Sequence, residues 1–391
     1  MLSKIKKMTK NRKLNIAIMG TNIAPTPPGP KTIYAPLWIA HDLAIGLKKR
    51  GHSVTLFAAS DSKTPLKIVS AGLPCFKNNK EWQRAQERLS AYEKRIMQGE
   101  HQYTWAIKWK EVLRENYELL LASKLYQMAQ QGKFDIIQFH SPLRVLHSAP
   151  LVKTPIFFTL HDPLRHPFDS GAVKAICDSI PYKNVRFVSI SNAQRKLSPN
   201  LPYAGTCYNG ININKFKFKK EKEDYFLFAG RIIPQKGLHI AVEIAREMGL
   251  KLKIAGPVGK EQKSYFKNKI EPHLSSKIEY LGTLTPSQMV PLYQKAKGFL
   301  MPILWSESFG LVMAEAMACG TPVIGFNKGS VAEVVKHCKT GFVVKTKREM
   351  KQAIERIGQI KPEDCRAWVE QNFTIDKMVT SYEKLYLKYV S

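Results

Sequence analysis

The sequence predicts an α/β protein built from two doubly wound parallel sheets in tandem. Three observations carry that prediction. Short runs rich in Val, Ile, Leu and Phe alternate with helical patterns along most of the 391 residues. A Lys/Glu-rich polar stretch, residues 217–224, divides the alternation into two series and marks an interdomain linker. No repeat of short period interrupts either series.

In the first series, residues 14–20 form a buried-type strand, followed by a Pro/Gly loop over residues 24–30. Residues 34–49 place Leu37, Ala40, Leu43, Ala44 and Leu47 on one helical face, and Gly51 ends that helix. Residues 53–59 are the next strand, so the first unit is βαβ and its sheet is parallel. Residues 80–132 read as amphipathic helix interrupted at Gly99, and strands return at 134–139, 155–160 and 185–190. In the second series strands at 225–229, 251–255, 278–281, 298–301, 322–326 and 341–344 alternate with helices at 238–248, 286–297, 310–319 and 331–336. Two such domains leave a cleft between them, and ligands of doubly wound sheets bind at the carboxyl ends of the strands.

Composition narrows the class. With 44% hydrophobic and 24% charged residues, the chain is not disordered, collagen-like or a coiled coil. Its longest apolar runs, such as residues 298–304, fall far short of the ~20 residues that span a bilayer. Residues 1–13 are basic, but only a strand-length apolar run follows, with Pro25, Pro27 and Pro28 close behind, which is not a signal-peptide pattern. Six cysteines lie without Cys-x-x-Cys spacing, the usage of reduced thiols in the cytoplasm. The net charge of +30 attracts anionic partners: nucleic acid, acidic lipid head groups or phosphorylated substrates. Helix-turn-helix, zinc-finger and aromatic RNA-binding motifs are absent from the sequence, so a nucleic-acid partner is not expected.

Two constellations stand out. Glu307 and Glu315 are eight residues apart around Gly310, at a strand-to-helix turn. Gly310 lets backbone approach a ligand, and the helix start offers free N–H groups that suit phosphate. Arg231 follows a buried strand directly and Lys236 lies on the next Pro/Gly-shaped loop, two cations placed to neutralise a diphosphate. Taken singly, each of these also reads as an ordinary solvated surface charge.

Together they resemble the family 4 retaining glycosyltransferases of the GT-B fold (glycosyl transferases group 1). The matching run is Ala229-Gly-Arg231, Lys236-Gly237, Ile254-Ala-Gly256, Leu281-Gly282, Glu307-Ser-Phe-Gly-Leu-Val-Met-Ala-Glu315, Thr321-Pro322, then Gly329, Glu333-Val-Val and Thr340-Gly-Phe342. The first half matches at residues 49–57, 134–140, 159–161, 190–192 and 208–211. Its first loop departs: relatives carry a Gly-Gly-x-Glu-type pattern where this chain has Pro28-Gly29-Pro30-Lys31-Thr32, so Gly29 and Lys31 are its substitutes for an acceptor or phosphate contact. The resemblance implies an acceptor-side domain over residues 1–213, with 80–132 as a variable helical region, and a nucleotide-sugar domain over 214–374. A terminal helix, 375–391, returns to the first domain.

The resemblance also assigns roles. Arg231 and Lys236 hold the donor diphosphate, and Glu307 holds the hydroxyls of the donor sugar. Gly256 and the amides of Phe309, Gly310, Leu311 and Val312 cradle sugar and phosphate, and Glu315 binds the ribose. His161 is the active-site histidine, suited to handling protons near neutral pH, and His140 either joins it or shapes the cleft. Asp-x-Asp does not occur in the sequence, so cationic side chains take the place of a metal; neither an essential metal nor a cofactor is expected. The implied reaction moves a hexosyl group from a nucleotide-diphosphate sugar, a UDP-sugar first and GDP-mannose next, to a hydroxyl acceptor with retention. A glycolipid or envelope-polysaccharide precursor is the acceptor this suggests. Basic residues with Trp82, Tyr103, Trp105 and Trp109 in 80–132 then suit attachment to an anionic membrane surface, at the inner face of the cytoplasmic membrane. Two other readings remain open: a nucleotide-sugar epimerase of the same fold, and a non-catalytic basic protein that binds anions or membrane.

Overall fold

The computed structural model describes residues 12–29, 32, 34–84, 87–88, 103–141, 143–162 and 183–390. The expectations for Lys31 and Gly99, and for the side chains of Tyr103, Trp105 and Trp109, lie outside the described residues.

The first series begins with β1 (Asn15–Met19), α1 (Ala35–Lys49), β2 (Ser53–Phe57), β3 (Lys67–Val69) and α2 (Tyr103–Gln130). It continues with β4 (Ile136–Phe139), β5 (Ile156–Leu160), β6 (Val185–Ser189), α3 (Asn192–Lys196) and β7 (Tyr203–Thr206). The second opens with β8 (Phe226–Ala229), α4 (Leu238–Glu247), β9 (Leu252–Ala255), α5 (Lys263–Lys269), β10 (Ile278–Tyr280) and α6 (Pro286–Lys295). Then come β11 (Gly298–Met301), α7 (Leu311–Ala318), β12 (Val323–Phe326), α8 (Val331–Val334) and β13 (Gly341–Val344). Three helices close the chain: α9 (Lys347–Glu355), α10 (Pro362–Asn372) and α11 (Ile375–Val390).

The strands form two parallel sheets. The first has the order β3-β2-β1-β4-β5-β6-β7 and the second β10-β9-β8-β11-β12-β13. Every strand pairing is parallel, and the central strands are buried on both faces, as near-continuous apolar runs require. The order reverses between β1 and β4 and again between β8 and β11, so each sheet has a crevice at the carboxyl ends of those strands. Two strands have no counterpart in the sequence reading. β3 and β7 are short, mostly half-buried strands at the sheet edges and lack the continuous apolar signature.

The chain crosses between the two units twice, and the crossings are hydrogen-bonded to each other. Ile211 N–H donates to Phe373 O (2.8 Å) and Ile375 N–H to Ile211 O (3.1 Å). α11 then runs back onto the first sheet. Its apolar stripe, Met378, Val379, Tyr382 and Tyr386, is at most 1% exposed and shares a core with Leu14, Ile16, Ile18 and the inner face of α1. Each such side chain stabilises by about 1.5–3 kcal/mol on burial. The polar ends are satisfied too. The Tyr382 hydroxyl lies 2.8 Å from that of Thr159, and Tyr386 donates to Gln138 Oε1 (2.9 Å). Arg50 and His52 both reach Glu383, at 2.6 and 2.9 Å.

Candidate active site

The carboxyl ends of β8, β9, β11 and β12 lead into four loops that carry most of the residues singled out in the second half. After β8 the chain turns through a short 3-10 helix, Pro234–Lys236, ended by Gly237 at φ 72°. A Cβ on Gly237 would lie 1.8 Å from Pro302 O, so only glycine lets this loop meet the one after β11. Leu304 N–H donates to Gln235 O (2.9 Å) and ties the two loops together. The loop after β12 joins them at Gly329, which bridges to Glu307. There a Cβ would come within 2.2 Å of Glu307 O, and Ser330 N–H donates to that same oxygen (2.9 Å).

This packing brings the Lys236 ammonium to 2.6 Å from Glu307 Oε2, with the two side chains only 15% and 12% exposed. Trp305 completes the group. Its indole Nε1–H points at Glu307 Oε2 (3.4 Å), and its ring faces Lys236 Nζ at 5.1 Å and Arg231 Cζ at 5.9 Å from the centroid. Arg231 itself is exposed. A guanidinium, an ammonium and a carboxylate thus sit around one indole at the carboxyl edge of the sheet. Trp305 was not singled out in the sequence, because an aromatic residue beside an acidic motif has no distinctive pattern of its own.

α7 starts at Gly310 (φ 76°), and the first N–H groups of the helix, at Leu311 and Val312, have no carbonyl within the helix to bond. Phe309 is different. Its ring is 1% exposed and packs against Tyr208 and Phe373, so only its backbone faces the loop. Glu315 lies in the second turn of α7, where its Oε2 accepts from Tyr293 O–H (3.0 Å). Tyr293 is held there by α6, whose start is fixed by a reciprocal cap between Thr285 and Gln288. Burial pushes the Glu315 carboxyl up to about 7. Gly256, buried after β9, donates its N–H to Gly282 O (2.8 Å) and accepts from Tyr280 O–H (2.8 Å).

The first sheet carries the two histidines singled out in the sequence. His140 follows β4 and His161 follows β5, neighbouring parallel strands; the register puts His140 opposite Thr159, so His161, two residues further on, lies on the same face one step along. His140 Nδ1 lies 2.8 Å from His161 Nε2. Burial pushes His161 down to about 4, and burial together with the neighbouring ring holds His140 well below the ordinary histidine value. Both shifts favour the uncharged rings. His140 is 2% exposed, and its Nε2 has no hydrogen-bond partner among the described residues. The same holds for both amide atoms of Asn22, fully buried just after β1, beside β4 at the switch point of the sheet. Asn22 too escaped the sequence reading. Gly29 is exposed, and its carbonyl accepts from Thr32 N–H (2.8 Å).

Among the described residues, no group of three or more His, Cys, Asp or Glu side chains is placed to hold a metal ion.

Comparison with known proteins decides the family. The family model described as glycosyl transferases group 1 matches residues 211–373, and the one described as glycosyltransferase family 4 matches residues 38–215. The chain belongs to the family 4 glycosyltransferases. N-acetyl-alpha-D-glucosaminyl L-malate synthase of Bacillus anthracis is 26% identical to it over 315 residues, covering 69% of this chain and 79% of that one. D-inositol 3-phosphate glycosyltransferase of Pseudarthrobacter chlorophenolicus is 32% identical over 291 residues, covering 60% and 66%. Among solved structures, HepE of Anabaena in complex with UDP and glucose superposes with a TM-score of 0.64 at 16% identity, over 95% of this chain and 98% of that one. A glycosyltransferase from Rickettsia africae gives 0.69 at 16% identity, over 97% and 99%. The glycosyltransferase has the GT-B fold, two Rossmann-like domains facing a cleft.

Proposed function

We propose that this glycosyltransferase moves a hexosyl group from a nucleotide-diphosphate sugar to a hydroxyl acceptor, with retention of configuration and without a metal ion. The observation that carries the reading is the cluster of Arg231, Lys236, Trp305 and Glu307 at the carboxyl edge of the second sheet. When the bond from the anomeric carbon to the diphosphate oxygen breaks, negative charge grows on that oxygen. Arg231 and Lys236 stabilise it, together with the first amides of α7. Glu307 accepts hydrogen bonds from the sugar hydroxyls. Its ion pair with Lys236 sets the sugar anchor beside the phosphate anchor before a donor arrives. The acceptor hydroxyl attacks from the side the leaving group departs, and its proton passes to the departing phosphate oxygen. Neutral His161 and His140 line the facing wall and orient hydroxyls there.

A UDP-sugar is the donor we favour, with GDP-mannose next; HepE, of the same fold, was crystallised with UDP and glucose. A carbohydrate or glycolipid hydroxyl is the acceptor, and the net charge of +30 supports work at an anionic membrane surface. No described helix is long and apolar enough to cross a membrane. The test is nucleotide release from UDP-glucose, UDP-galactose, UDP-N-acetylglucosamine and GDP-mannose in the presence of candidate acceptors, with the product anomer read by NMR. Lys236→Ala and Glu307→Ala should abolish turnover, and EDTA should not inhibit. Full activity in either variant, or inhibition reversed by a divalent ion, contradicts the assignment.

A further inference from the structure

The carboxylate of Glu333, on α8 of the second domain, is bonded to the first domain and its exit segment. Oε2 accepts from Asn192 N–H (2.8 Å) and Tyr208 O–H (2.7 Å), and Oε1 accepts from Ala193 N–H (2.6 Å). Asn192 braces the arrangement from its own side. Its Nδ2 donates to the Tyr208 hydroxyl (3.1 Å), and its Oδ1 accepts from Thr206 (3.1 Å). The Tyr208 ring in turn packs on Phe309 and Phe373. Glu333 therefore crosses the boundary between the domains with three bonds to one charged group, the strong kind of hydrogen bond.

The same segment reaches into the candidate donor site. α8 begins directly after Gly329 and Ser330, which are fastened to the backbone of Glu307 by the bridge and the Ser330 N–H bond described above. Glu307, Gly329, Ser330 and Glu333 thus form one short rigid piece. One end faces Lys236, and the other grips the backbone after β6 of the opposite domain.

We propose that Glu333 is a positioning residue: it fixes the spacing of the two domains and, through Gly329 and Ser330, sets the Glu307 loop against the histidine wall. The second half rests on Glu307 being the donor-sugar carboxylate. Opening the cleft must break the Glu333 bonds, and closing it remakes them, so the position of the donor loop and the width of the cleft change together.

Two variants test this. Glu333→Gln keeps the shape but turns an amide N–H₂ toward at least one of the N–H donors, and Tyr208→Phe removes a single bond. Dyes on Cys338, which is exposed, and on an introduced Lys153→Cys, with Cys177→Ser, report the interdomain distance in the full chain. Glu333→Gln should broaden and lengthen that distance, and should speed amide exchange at Asn192 and Ala193 about tenfold or more. Tyr208→Phe should give a smaller shift in the same direction. UDP affinity should stay within about threefold of wild type, because the cations on the second domain are untouched. An unchanged distance distribution, even with a lowered melting temperature, would make Glu333 a local packing residue and overturn the proposal. Failure of the wild type to bind UDP would remove the Glu307 half, and the distance measurement alone would then decide the interdomain role.

Discussion

Replacing Lys236 by Met removes the ammonium and keeps most of the stem, leaving the Glu307 carboxylate 12% exposed without its cation. The direct attraction at 2.6 Å is large, about 6 kcal/mol at an effective dielectric of ~20. Much of that is offset by the cost of taking both charges out of water, so the pair itself is worth less. Breaking one side is another matter, because the stranded charge keeps its desolvation cost; such breaks typically destabilise by about 3–5 kcal/mol. Trp305 Nε1–H remains near Glu307 Oε2 at 3.4 Å and moderates the loss, so about 3 kcal/mol is expected for Lys236→Met. Glu307→Gln should cost about 1–2 kcal/mol, since the amide oxygen still accepts from Lys236. The double variant, with no stranded charge, should cost about 1–2 kcal/mol, giving a coupling of ~2–4 kcal/mol. Urea unfolding of the four proteins measures this cycle, and about 2–4 °C of melting temperature per kcal/mol provides a second reading. A Lys236→Met protein as stable as wild type, or a coupling below about 0.5 kcal/mol, would refute a held ion pair in the site.

Other outcomes follow from the same geometry. His161 lies at about 4 in the folded protein against 6.5 for a free side chain, so the unfolded chain binds more protons between those values and stability falls as the pH drops through them. Glu315 lies at about 7 against 4.5, so there the folded chain binds more protons and its contribution is lost as the pH rises from 4.5 to 7. His161→Gln should therefore gain on wild type as the pH falls, and Glu315→Gln as the pH rises; urea midpoints that run parallel to wild type across both windows would contradict these assignments. Gly237→Ala forces a left-handed residue and a Cβ 1.8 Å from Pro302 O. The 234–237 and 302–304 loops must part, costing about 2–3 kcal/mol and weakening diphosphate binding; unchanged stability and affinity would show that the loops do not touch.

Much of the fold was legible because parallel strands buried on both faces leave continuous apolar runs. β11 was placed to the residue, and β8, β9 and β12 to within one. β3 and β7 were not, because mostly half-buried edge strands carry no such run. The site was legible as a set of residue types but not as a set of pairs. Lys236 and Glu307 were assigned to phosphate and to sugar, yet they bond across 71 positions of sequence, a contact that depends on how two glycines let three loops converge. The histidine pair was not legible, because the register sets His140 opposite Thr159 and His161 two residues beyond, an offset that local pattern does not give. Nor was the downward shift of the two rings, because burial is a property of the assembled fold. Nor does local pattern show that Glu333 would find its partners 141 and 140 positions away in the other domain.

The central claim is that Arg231 and Lys236 form a diphosphate site at the carboxyl edge of the second sheet. Calorimetric titration of the purified protein with UDP, GDP and ADP tests it most directly, with Arg231→Ala as the control. Saturable binding of one nucleoside diphosphate, abolished in the variant, is the predicted result. Absence of binding by all three, or binding that survives Arg231→Ala unchanged, would contradict it.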